Sequence, residues 1–160
     1  MNQSQKRIKV GFLPYGVHVG VKDGTDRYFI DDELLAAART MLEKSGFEVV
    51  QSDEIVSYKP QANAALKKFI EADIDVMVMY SATWVWASAT SRGWTHVGAT
   101  VVHGALAEIG VTHKFIIGMP DDERTKARIT SAVKAGGALR KMRGSTFGLV
   151  GGRGMGQTPG

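Results

Sequence analysis

The chain has 160 residues, 44% of them hydrophobic and 22% charged, with no cysteine and a formal net charge of +4. That length and balance suit one globular domain with its own core and exclude wholesale disorder. Without cysteine there is no disulfide, thiolate metal cage or cysteine nucleophile, which fits a reducing cytoplasm, the expected location.

The polar start MNQSQK lacks a leader-like apolar region, and no apolar stretch is long enough to span a bilayer. The basic residues are scattered except for Arg140, Lys141 and Arg143. These read as cations complementing a helix C-terminus, because no aromatics interleave as a nucleic-acid surface requires. Neither a nucleic acid nor a membrane is an expected partner.

The chain alternates strand and helix. Residues 8–13 (IKVGFL) predict a first strand ending at Pro14. Residues 31–45 predict a helix with Leu34, Leu35, Ala38, Met41 and Leu42 on one stripe; carboxylates fill its first turn and Gly46 stops it. Residues 47–50 predict the second strand, and residues 61–72, opened by Pro60, a helix with the stripe Ala62, Ala65, Leu66, Phe69 and Ile70. Residues 74–80 (IDVMVMY) predict a central strand, and a helix over about 94–109 stops at Gly110. Residues 114–118 predict the fourth strand, 121–142 a helix begun by Asp121, Asp122 and Glu123, and 146–150 (TFGLV) the fifth strand.

Strands joined by helices require parallel pairing through crossovers. The expected fold class is therefore α/β: a three-layer, doubly wound, parallel five-stranded sheet of flavodoxin-like or Rossmann-like type, in the order 2-1-3-4-5. Residues 1–150 form that domain. Residues 151–160 form a Gly-rich segment, read either as a tail or, preferably, as the start of a following domain.

Ligands of open α/β sheets bind at the carboxyl ends of the strands. Those loops hold the unusual residues: Tyr15 and His18 after the first strand, Trp84, Trp86, Arg92 and Trp94 after the third, Arg153 and Met155 after the fifth. A tryptophan at a pocket mouth can stack on a sugar face or anchor a protein, whereas Trp94 reads as packing beneath its loop.

No complete catalytic set emerges. His96 and His103, two turns apart on one helix, are separated by roughly 10 Å, too far to chelate one ion together. His113 reads as a surface residue. Asp73 and Asp75 sit at the wrong end of the third strand for the ligand edge, and Asp121 and Asp122 read as helix caps. No GxSxG elbow or Walker loop occurs, and Gly152-Arg153-Gly154-Met155-Gly156 does not match GxGxxG.

Three segments together resemble the amino-terminal region of L-fucose isomerase and related aldose–ketose isomerases, D-arabinose isomerase among them: VGFLPYGVHVGVKDG, YSATWVWASAT and VKAGGALRKMRGSTFGLVGGRGMGQTPG. The last is the most specific; it resembles the family's run of helix, Lys/Arg-Gly, strand and Gly-Gly-x-Ser-Met-Gly. The resemblance spans essentially this whole chain but only the first third or less of a family enzyme. It implies a substrate-lid and oligomerisation domain of a manganese-dependent sugar isomerase, whose Glu, Asp and His metal ligands lie in later domains. It also implies a hexamer in which this domain closes over a neighbour's site. No catalytic residue and no metal ligand is then expected here; Mn2+ belongs to the full-length enzyme.

The substrate-binding candidates are Trp84 and Met155, matched by motif, with His18 and Arg153 from the same loops. Gly154 stands where the family has Ser, and Val17 and His18 stand where L-fucose isomerase has arginines, which favours another sugar. The alternative reading is a stand-alone flavodoxin-like module that binds a sugar or a protein.

Overall fold

The computed structural model describes residues 6–16, 32–81 and 95–145. Its centre is β1 (Lys9–Tyr15), buried from Val10 to Pro14. Successive side chains alternate between faces. Val10 and Phe12 join one apolar cluster and Leu13 another. β2 (Glu48–Gln51) and β3 (Val76–Ser81) pair with β1 in parallel, in the order β2-β1-β3.

Apolar stripes bring helices to both faces, so the domain has three layers. α1 (Asp32–Lys44) places Ala38, Met41 and Leu42 on Val10 and Phe12. α2 (Lys59–Glu71) covers the opposite face with Ala65 and Phe69, against Leu13 and Met79. Each fully buried Phe or Leu contributes about 1.5–3 kcal/mol. α3 (Thr95–Glu108) contacts β3. Gly46 and Gly110, the predicted stops of α1 and α3, adopt φ of +88° and +74°, values other residues enter at a cost.

The first strand runs two residues past its predicted end because Pro14 does not break it. A proline lacks the N–H a ladder needs. Opposite Pro14 the neighbouring chain leaves the ladder after Ser52, whose N–H donates to the Phe12 carbonyl at 3.1 Å. It rejoins at Val56, whose N–H donates to the Pro14 carbonyl at 2.9 Å.

The predicted five-stranded sheet is present only as three strands among the described residues. Residues 114–118 form no strand. Phe115 instead stacks on His103, ring centroids 4.7 Å apart and planes within 4°. The predicted strand at 146–150 and the Gly-rich segment 151–160 lie outside the described residues.

α4 (Glu123–Met142) closes the described chain. It shares the α1 face, where Val133 and Ile129 join the core. Its contacts follow the amino edge of the sheet: Thr130 donates to Ser45, before β2, at 3.3 Å, and Arg140 bonds Asp73, before β3. Gly136 and Gly137 allow this approach. A Cβ at Gly136 would lie 2.7 Å from Val76 Cγ2, and one at Gly137 would lie 2.7 Å from Ile8 Cδ1.

Candidate functional site

The carboxyl edge of the sheet is defined by the ends of β1 and β3. Their last residues, Tyr15 and Ser81, are register partners on adjacent strands. Alternation puts both on the α2 face, and their side chains are hydrogen bonded. Burial pushes the Tyr15 phenol up from its ordinary pKa; the hydrogen bond with the Ser81 side chain opposes that rise. Tyr15 thus stays protonated over the physiological range.

The other flank of Tyr15 is held by the loop after β2. Tyr15 forms a parallel bridge with Val56, and the Gly16 N–H donates to the Val56 carbonyl at 3.1 Å. The Ser57 hydroxyl donates to the Gly16 carbonyl. Gln61, in the first turn of α2, accepts the N–H groups of Ser57 and Tyr58 at 2.8 and 3.0 Å. Its amide donates to Glu54 at 2.8 Å. The end of β1 is therefore fixed from both sides, as a preorganised binding group requires.

The segments that follow β1 and β3 in the chain carry the predicted substrate-binding residues His18 and Trp84. His18 and Trp84, and likewise Arg153 and Met155, lie outside the described residues. The start of α4 does not join the edge. Glu123 shares an open groove with Ser45 and Lys134, toward the amino-terminal side of the sheet. Asp122 is the predicted cap: its carboxylate accepts the N–H groups of Arg124 and Thr125 at 3.3 and 3.0 Å and the Thr125 hydroxyl at 2.6 Å. Asp73 and Asp75 are structural as well. Asp73 pairs with Arg140, and Asp75 accepts the Lys9 N–H at 2.8 Å.

Histidine placement differs from the sequence expectation. His113 is not a lone surface residue: its Nε2 lies 2.6 Å from His103 Nδ1, and its own Nδ1 lies 2.7 Å from the Val111 carbonyl. The ring centroids are 4.8 Å apart, so the two nitrogens meet nearly head-on. That geometry suits a shared N–H···N proton, because lone pairs on one metal must converge at an angle. Among the described residues no three His, Asp or Glu side chains group to hold a metal ion. Among those residues, too, no helix is long and apolar enough to cross a membrane.

Composition and spacing give Tyr15 no role beyond its place at the ligand edge and leave Ser81 unmarked, one residue past the predicted central strand. The signal available was their position, each ending an apolar strand run. Comparison with family models, curated proteins and solved structures found no match. What the fold itself defines is an α/β protein with a parallel sheet covered on both faces.

Proposed function

We propose that this chain is the amino-terminal substrate-lid and oligomerisation domain of a metal-dependent aldose–ketose isomerase of the L-fucose isomerase type. The reading rests on the three resembling segments. The observation that carries it further is that β1 and β3 lie side by side and end together at Tyr15 and Ser81. The two segments PYGVHVGVKDG and SATWVWASAT therefore leave the sheet from neighbouring points. A sugar bordered by Trp84, Met155, His18 and Arg153 fits that convergence. Such an enzyme moves a proton between adjacent carbons of the sugar, and Mn2+, held by other domains, would polarise the sugar oxygens. The domain works in the cytoplasm as part of a homo-oligomer.

The proposed complete sheet has five parallel strands in the order 2-1-3-4-5. The order β2-β1-β3 supports its first half. Arg140 beside Asp73 supports a strand at 146–150 on the β3 side, since the chain leaves α4 close to where β3 begins. Residues 114–118 would have to give up the Phe115–His103 stack to enter it.

Stand-alone protein binding is the second reading, favoured by Ile70 and Leu139, which are 77% and 63% exposed. Trp84→Ala separates the two. Isothermal titration with free pentoses and hexoses should show about fivefold weaker binding or more, the loss of one aromatic contact. The melting temperature should be unchanged. A collapse in stability with unchanged sugar affinity would assign Trp84 to the core.

A further inference from the structure

Tyr15 and Ser81 combine three properties. They are adjacent across the sheet, joined through their side chains, and backed by the hydrogen-bonded loop 54–57. Tyr15 is half-buried and is the last residue of β1, at the carboxyl edge of the sheet. The Tyr15 and Ser81 side chains are hydrogen bonded, and a pair of hydroxyls has two O–H protons, of which their mutual bond uses one. A chain of hydroxyls polarises along its length, so a third hydroxyl added at its end is bound more strongly than by an isolated phenol.

We infer that Tyr15 and Ser81 form a hydroxyl-recognition subsite, in which Tyr15 donates to a hydroxyl oxygen of a sugar and so helps set which sugar is taken. This rests on the reading of the domain as a sugar-binding one, and it gives that reading a specificity residue within the described structure. Such a donor discriminates by configuration. A sugar epimer that turns the hydroxyl away leaves a half-buried polar group unsatisfied, which costs more than the bond contributes.

The test is calorimetric titration of free pentoses and hexoses, in aldose and ketose forms, into the wild-type chain, Tyr15→Phe and Ser81→Ala. Tyr15→Phe keeps the ring and removes only the hydroxyl. It should weaken the preferred sugar by roughly tenfold, one net hydrogen bond, and narrow the preference between epimers. Its melting temperature should stay within about two degrees of wild type. Ser81→Ala should give a smaller loss in the same direction. Wild-type affinity and epimer preference retained in both variants would overturn the subsite and leave the sugar-binding reading intact. If the wild-type chain takes up no sugar, that reading fails and the subsite fails with it.

Discussion

Asp122 shows how much one side chain decides. Its carboxylate caps α4 through Thr125 and Arg124. Its pKa is lowered first by the Thr125 hydroxyl, then by the Thr125 N–H, with Arg124 adding to the effect. A carboxylate held below its ordinary value of about 3.9 stabilises the fold above that value, and the contribution disappears as pH falls through the lowered one. Asp122→Ala should therefore melt below wild type at neutral pH, and the gap should close in acid. Thermal melts from pH 7 down to about pH 3 check this; a gap independent of pH would assign the effect elsewhere. This cap was legible in the sequence because capping is local: an acidic pair after Pro120 and before a helical stripe has few other uses. The His103–His113 contact was not. It joins a helix to the segment after it through a turn whose course no periodicity encodes.

At the scale of elements, α4 is where local pattern and tertiary placement part. Its span was readable from the acidic start and the basic end. Its position along the amino edge was not, because it depends on Gly136 and Gly137, which in a helix read only as weak points. Their purpose appears once Val76 and Ile8 lie beneath them. Gly137→Val tests it. Three atoms of Ile8 stand within 3.1 Å of the added Cβ, and overpacking of this kind costs about 1–3 kcal/mol. Chemical denaturation should show that loss; a variant as stable as wild type would mean α4 does not rest on Ile8 at Gly137. The apolar run at 114–118 carries the opposite lesson. Five residues of strand-like composition do not make a strand when one of them, Phe115, is stacked on a neighbouring helix. The stripe of α2 was half right in the same sense: Ala65 and Phe69 are buried, whereas Leu66 and Ile70 are 46% and 77% exposed.

For the molecule as a whole, the parallel pairing of β1, β2 and β3 was legible, because strand–helix alternation admits few topologies. The absence of a strand at 114–118 was not, since each added strand depends on long-range pairing. The candidate site follows the same division. Its location came from the crossover rule, whereas Tyr15 and Ser81 became specific only when register put them side by side.

The most direct test of the account is an amide NMR titration of the isotope-labelled chain with free aldoses and ketoses. Saturable shifts are expected to concentrate at Tyr15, Gly16, Ser57 and Ser81 and at the Trp84 indole, with the α4 amides unmoved. Shifts confined to the groove between Ser45 and Lys134, or none at any sugar concentration, would contradict it.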